Sequence, residues 1–477
     1  MKRHPYLILL FISASLTGSA QLFKIDTLQL NGDTSQLINV VFLGDGYTSA
    51  QQTAFRSRAD SVFNYFMVSS PYSRYRNYFN AFAIRVISAE SGAKHPRTAS
   101  DCNTANPQVP VSNPKNYFGS TFDGYGIHRL VVPDSVSKID TVLATHFPNY
   151  DLAIILVNSP YYGGSGGSSH LGGTGYPYIT STVAPASYEI ALHESGHSFA
   201  GLLDEYWVGP QYLFERPNMT KQKNPASIKW KNWLGAGTGI GIFPFSQDTA
   251  WAKPANNTCR MEALGKPFCS VCSEAIIERV HTLTNPILNF SPDTSVHTFT
   301  DSIVTFRLGS LLLPSPNTLK KIWNYNGNPV GSNIDSFELK QDTLAHGIHT
   351  VTLCVEDTTT LVRTDLHAMS HVYLVEWSVN VFITGIDITP SVNIISCRVF
   401  PNPATDQVTV ELESLQDQNI RAYLYALDGR LIREVLNMSS GTGSCFQNIQ
   451  IHDLPAGTYI LSIQAGSARF SKTIIKQ

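Results

Sequence analysis

The chain has 477 residues, a formal net charge of −2, and 15% charged against 11% aromatic side chains. So balanced a charge supplies no basic field for nucleic acid or for an anionic membrane surface, and the length allows about three domains at roughly 150 residues each. The cysteine count, seven, is odd, so at least one has no partner within the chain.

Residues 1–20 have the plan of a secretory signal. Lys2 and Arg3 supply the charged start, an apolar run extends over residues 7–16, and Gly18, Ser19 and Ala20 give a small-residue cleavage site before Gln21. The run is too short to span a bilayer, and no other stretch reaches the roughly 18 apolar residues of a span. The mature chain is therefore expected to carry no transmembrane segment.

Residues 37–43 read as a buried strand, Gly44 to Tyr47 as a turn, and residues 49–67 as a helix; residues 81–87 form a second strand. This strand–helix–strand order predicts an α/β domain. Asp45, at the end of the first strand, is read mainly as an Asx turn with Gly46 and secondarily as a functional group. Residues 94–130, rich in Asn, Pro and Ser, read as a long surface excursion. Residues 151–158 are the clearest strand. Glycines follow at 163, 164, 166, 167, 172 and 173 without a phosphate-loop lysine, which speaks against a nucleotide site. Residues 176–180 then read as an edge strand able to accept a peptide substrate as an added strand.

The segment from Leu192 to Tyr206 contains His193-Glu194-x-x-His197, the zinc-peptidase signature. Histidines four apart share one helix face and can meet one metal ion. A catalytic zinc takes three protein ligands and keeps a position for water, whose pKa falls toward about 7. Glu194, next to the first histidine, is placed to act as general base on that water. Residues 184–192 read as the helix entry and Gly201 as its exit. In the metzincin pattern a glycine and a third histidine follow at set spacing. Here Ala200 occupies the glycine position, with Gly201 one residue late, and Leu203 occupies the third-ligand position. Asp204, shifted by the same one residue, is the expected third zinc ligand. Glu205 is the alternative, and the carboxylate left over is expected to support a ligand histidine. His170, and Glu274 or Glu278 on a helix over residues 273–280, are weaker candidates. Met261 is read either as the packing methionine of a Met-turn beneath the metal or as an ordinary core residue.

The motif with its Asp204-Glu205-Tyr206 tail resembles the IgA-peptidase family of secreted zinc endopeptidases. The resemblance extends to residues 41–48, Pro71-Tyr72, residues 88–92 and the segment from Cys259 to Cys272, and covers roughly residues 24–285. It implies a metzincin-like endopeptidase without fixing its substrate. Trp207, Trp230, Trp233 and Trp251 lie in a loop-rich stretch and are read chiefly as core. Cys269 and Cys272 are expected in a structural disulfide, with Cys259 as a possible partner, because no fourth ligand stands near the three thiols in sequence.

Beyond Asn285 short strands separated by turns, among them residues 302–306 and 349–355, suggest an immunoglobulin-like sandwich over residues 286–390. Residues 396–477 alternate as a small β-sandwich, with Asp428-Gly429-Arg430 as a hairpin turn. From Phe400-Pro401-Asn402-Pro403 to the final Lys476 this segment closely resembles the C-terminal sorting domain of type IX secretion substrates. That implies export through the outer membrane to the cell surface or the medium, with the secretion machinery as a partner.

The expectation is thus a multidomain protein: a signal peptide (1–20), an α/β zincin-type catalytic domain (21–285), an immunoglobulin-like domain (286–390) and a sorting domain (396–477). It would act as a zinc endopeptidase on extracellular protein or peptide substrates, with Glu194 catalytic and His193, His197 and Asp204 on Zn²⁺. The alternative is a non-catalytic surface adhesin on the same scaffold. The intact Glu194 weighs against it, because binding zinc alone does not require that residue.

Overall fold

The computed structural model describes residues 22–477 apart from 105–107, 168, 170–176, 208–212, 246, 295–296, 299–302, 341–343, 346, 366, 368–370, 382–393, 415–416, 427–429 and 466–467. The signal segment, His170, Tyr176 and two residues of the Asp428–Arg430 turn lie outside the described residues. Two compact units emerge. The first runs to Ser291 and adds Leu308–Lys321 and Cys354–Leu374; the second holds Pro292–Arg307, Ile322–Leu353 and Val375–Gln477.

The first unit is built on six strands: β1 (Ile25–Gln29), β2 (Ile38–Asp45), β3 (Phe79–Ile84), β4 (Leu152–Val157), β5 (Gly164–Ser165) and β6 (Ile179–Thr182), in the order β1-β3-β2-β4-β6-β5. The four inner strands run parallel, whereas β1 and β5 are antiparallel to their neighbours. Every residue of β2, β3, β4 and β6 is buried, as parallel strands covered on both faces should be. Alternation along the strands divides them between two cores. Val40, Phe42, Ala81, Ile154 and Ile179 face helices α1 (Gln52–Val68), α3 (Ser187–Ala200) and α4 (Ser270–Leu283). Val41, Leu43, Phe82, Ile155 and Val157 face α2 (Val136–His146) together with Phe118, Phe122 and Val131. Helix α1 docks through Phe55, Ala59, Val62, Phe63 and Phe66, the three-to-four-residue spacing of a single helical face.

Two expectations are corrected here. Residues 94–130 are a surface excursion only in part: His95, Cys102, Asn116, Phe118, Ser120, Phe122, Asp123 and His128 are all buried, whereas Val111, Tyr125 and Ile127 stay exposed. Their polar composition is used internally, in hydrogen bonds that fold the segment onto the sheet. Nor do residues 176–180 form the edge strand, because β6 lies between β4 and β5. The edge is the two-residue β5, within the glycine-rich stretch.

In the second unit Trp323 and Trp377 stack with ring centroids 5.6 Å apart, and the Trp377 indole donates to the Pro292 carbonyl at 2.8 Å. Near the C-terminus a three-stranded sheet (Ile394–Phe400, Gln407–Ser414, Gly443–Gln450) and a four-stranded sheet (Leu431–Ser440, Gln418–Ala426, Gly457–Ala465, Ala468–Lys476) share a core including Val408, Val410, Leu424, Leu461 and Ile463. The chain is therefore multidomain and rich in separate β-sheets.

Asp45 is fully buried, and its role exceeds a local turn. Its Oδ1 accepts from the backbone N–H of Gly46 at 3.1 Å and of Phe118 at 3.0 Å, and its Oδ2 from that of Ser120 at 2.9 Å. It therefore ties residues 116–120 to the end of β2. Burial raises its carboxyl pKa against the opposing pull of these donors. Asp45→Ala leaves the buried Phe118 and Ser120 N–H groups without this acceptor, whereas Gly46 N keeps Ser88 Oγ at 2.9 Å, and it is expected to lower the stability of this unit by about 2–3 kcal/mol, read as the urea midpoint of its unfolding. A change within about 0.5 kcal/mol, the usual range of surface substitutions, would show that these donors find other acceptors.

Candidate metal centre

Helix α3 follows β6 after a short connection, and Thr182 and Ser187 hydroxyls meet across it at 2.7 Å. Its buried face carries Ile190, Ala191, Leu192 and Phe199 into the core. The same helix presents His193 and His197, four apart, to one side. Gly201 ends it in the left-handed conformation, φ 65°, where glycine alone has no Cβ penalty. The chain turns back there, and Asp204 Oδ1 arrives 3.0 Å from His193 Nε2 and 3.3 Å from His197 Nε2.

The remaining nitrogen of each imidazole is occupied. His193 Nδ1 lies 2.9 Å from the Arg260 carbonyl, and His197 Nδ1 lies 2.7 Å from the Leu202 carbonyl. A carbonyl can only accept, so each Nδ1 carries a proton, and each Nε2, whose lone pair is free when the imidazole is neutral, faces Asp204. Two lone pairs and a carboxylate oxygen converging in this way make a donor set suited to zinc. Burial lowers the His197 pKa, but Asp204 overrides it and holds the imidazole up at about 9. Burial raises that of Asp204, while His197 and His193 pull it well below the usual carboxylate range. The Asp204 carboxylate and the two imidazoles are thus strongly coupled to one another.

The turn of residues 202–205 is held from both sides. Asn218 accepts from Leu203 N at 2.9 Å and donates to Leu203 O at 2.8 Å, and Glu205 N donates to Met261 O at 2.7 Å. Glu205 itself points away from the histidines. It is fully buried, its Oε1 lies 3.3 Å from Cys272 Sγ, and its Oε2 has no hydrogen-bond partner. Cys259 and Cys272 sulfurs stand 3.6 Å apart, and all seven cysteines are free thiols, far from the about 2.05 Å of a bond. The expected disulfide is thus corrected. The fourth donor missing from the local sequence is Glu205, which the fold brings to Cys259, Cys269 and Cys272.

Glu274 and Glu278 are not at the centre. Glu274 accepts from the Trp233 indole at 2.8 Å, and Glu278 faces His371 at 3.1 Å. Trp230, Trp233 and Trp251 are buried, as expected of core residues. Glu194 stands beside the donor set, its Oε2 3.9 Å from His197 Nε2. Sequence reasoning missed the groups opposite it. An open cleft is lined by Arg129, Tyr162, His193, Glu194, Tyr206 and Arg260, among others. Arg129 hydrogen-bonds Tyr206. Burial, then the charges of Asp204 and Glu194, push the Tyr206 hydroxyl above its ordinary pKa, so it stays protonated. Tyr206 was legible as part of the Asp-Glu-Tyr tail; Arg129 carried no local signal.

Met261 lies directly under the helix. A Cβ on Gly196 would sit 2.5 Å from Met261 Sδ and 3.3 Å from Phe268 Cε1. Gly196→Ala must therefore displace the Met261 side chain or the turn whose carbonyls hold His193 and Glu205. It is expected to cost about 1–3 kcal/mol by overpacking and to weaken zinc retention in a chelator titration. Met261→Leu keeps the volume and should cost less than about 1.5 kcal/mol.

Two parts of the chain match known protein families. Residues 27–257 match the family described as IgA Peptidase M64, and residues 398–477 match the secretion system C-terminal sorting domain. The first match supports a peptidase in the N-terminal part, and the sorting domain marks the chain for type IX export to the cell surface or beyond. No helix among the described residues is long and apolar enough to cross a membrane. No curated protein matches the sequence. Solved structures that overlap the chain include dimeric latent PorU from Porphyromonas gingivalis (15% identity, covering 39% of this chain and 19% of that one, TM-score 0.17). A Bacteroides ovatus mixed-linkage glucan utilization protein, SGBP-B, overlaps at 14% identity, 39% and 43% coverage and TM-score 0.16. Bacteroides uniformis β-glucuronidase 3 does so at 11%, 47% and 28%, with TM-score 0.17. The chain spans less than half the length of each of these three, and TM-scores this low carry no argument about its fold.

Proposed function

We propose that the N-terminal domain is a zinc-dependent endopeptidase of zincin type, acting on extracellular protein or peptide substrates after export. The observation that carries this reading is the convergence of His193 Nε2, His197 Nε2 and Asp204 Oδ1 within 3.0–3.3 Å, with both Nδ1 protons already committed to backbone carbonyls. These three residues would hold the zinc. When bound, zinc supplies a Lewis acid that makes hydroxide available from water near neutral pH and polarises a peptide carbonyl.

The other roles belong to the chain. Glu194 takes the proton of the attacking water and delivers it to the leaving amine. Gly166 leaves room for its carboxylate, since an added Cβ there would lie 2.7 Å from Glu194 Oε2. Ser198 fixes the same glycine stretch by donating to Gly167 O at 2.8 Å. The antiparallel edge strand β5 offers backbone groups along which an extended peptide can lie. Across the cleft, Tyr206 keeps its proton and Arg129 its charge; both are donors suited to an oxygen that gains negative charge in the transition state. The division into a catalytic domain (21–285), an immunoglobulin-like domain (286–390) and a sorting domain (396–477) belongs to the same proposal.

The test is zinc content and cleavage of end-blocked, internally quenched peptides by the mature protein beside Glu194→Ala. The variant is expected to keep its zinc and to lose roughly 10²–10⁴-fold in kcat. Equal cleavage by both forms, or an active protein without zinc, would overturn the mechanism. Gly166→Ala should also leave zinc unchanged while displacing the Glu194 carboxylate, and cost kcat about tenfold or more.

A further inference from the structure

A second buried donor set lies away from the cleft, in the folded segment of residues 94–130. His95, Cys102, Asp123 and His128 converge on one point, and all four are buried. Cys102 Sγ stands 3.7 Å from His95 Nε2, 3.3 Å from Asp123 Oδ1 and 3.5 Å from His128 Nδ1. Asp123 Oδ1 stands 2.8 Å from His128 Nδ1 and 3.5 Å from His95 Nε2. Zinc bonds of about 2.0 Å to N or O and 2.3 Å to S place neighbouring tetrahedral ligands roughly 3.3–3.5 Å apart. Four of the five separations lie within a few tenths of an ångström of that spacing, and the fifth is shorter.

Other contacts orient these donors. His95 Nδ1 lies 3.1 Å from the Pro110 carbonyl, so its proton is there and Nε2 offers a lone pair to the cluster. Thr98 N donates to Asp123 Oδ2 at 2.7 Å, which leaves Oδ1 facing inward. Asp101 accepts from His128 N at 2.9 Å. Charge points the same way. Among the described residues the ion-pair partners of Asp123 are these two histidines. A buried carboxylate needs a compensating cation. One divalent ion balances the Asp123 carboxylate and a Cys102 thiolate, with both histidines neutral.

We infer that His95, Cys102, Asp123 and His128 form a closed, four-coordinate structural zinc site, distinct from the peptidase centre. All four positions are filled by protein, so the ion has no place for water or substrate. Binding takes the proton from the Cys102 thiol and releases it to solvent. The site ties together a segment with few helices or strands of its own. Its last ligand, His128, adjoins Arg129, whose carbonyl accepts from Gly164 N in the edge strand at 3.0 Å. The ion would thus brace the stretch that carries Arg129 into the cleft.

An anomalous difference map at the zinc edge, from crystals of the wild-type protein, should show a peak between these four atoms whether or not the peptidase centre is filled. No peak here in crystals whose peptidase centre is occupied would overturn the site. In solution, Cys102→Ser and His128→Ala should each bind one zinc fewer than wild type. His193→Ala/His197→Ala should lose a different equivalent, so that combining it with Cys102→Ser removes two. A folded Cys102→Ser protein with the wild-type zinc count would likewise refute it, and the crystallographic result stands if the variants do not fold.

Discussion

Two backbone carbonyls set the donor arrangement of the candidate metal centre. Arg260 O and Leu202 O take the Nδ1 protons of His193 and His197, and only then are both Nε2 lone pairs free to face one point. The Leu202 carbonyl is local, since it comes from the turn that Gly201 opens at the end of α3. The Arg260 carbonyl comes from a distant segment and must be pressed against the helix. Gly196 makes this possible, because any side chain there would collide with Met261. A small residue inside the helix that carries His193 and His197 and a methionine beneath it are thus one device for setting a tautomer.

The same turn reaches further. The next carbonyl, Met261 O, holds Glu205 N, and so fixes which of two adjacent carboxylates meets the histidines. Glu205 is turned into an interior shared with three thiols and Asn218, where burial raises its pKa well above the ordinary value. Asp204 stays at the cleft with part of its side chain accessible. Two neighbouring acids therefore acquire opposite environments through hydrogen bonds made by the backbone between them.

The opposite wall is assembled from a part of the chain whose composition suggests a loop. Asp45, at the end of the central strand, accepts from residues 118 and 120, and His128 and Arg129 follow on the far side of the folded segment. Gly163 allows a close approach: a Cβ there would lie 2.7 Å from Val131 and 2.9 Å from Arg129 O. Sheet edge, glycine stretch and polar segment thereby become one surface beside Glu194.

What the sequence by itself determined lies within one helical turn or one strand. The pairing of His193 with His197 follows from a four-residue spacing, the exit at Gly201 from its missing Cβ, and the buried strands read at residues 37–43 and 151–158 from their mainly apolar runs. The alternation of the C-terminal segment was equally readable. Tertiary structure alone brought Asp204 rather than Glu205 beside the histidines, placed β5 rather than β6 at the edge, supplied Glu205 to the thiols, and gathered His95, Cys102, Asp123 and His128 into one buried cluster. The physical reason is range. Periodicity and backbone preference act between near neighbours, whereas a buried polar group is satisfied by whichever donor or acceptor the fold delivers. Asn218, Arg260 and Arg129 carry no local mark of the partners they find.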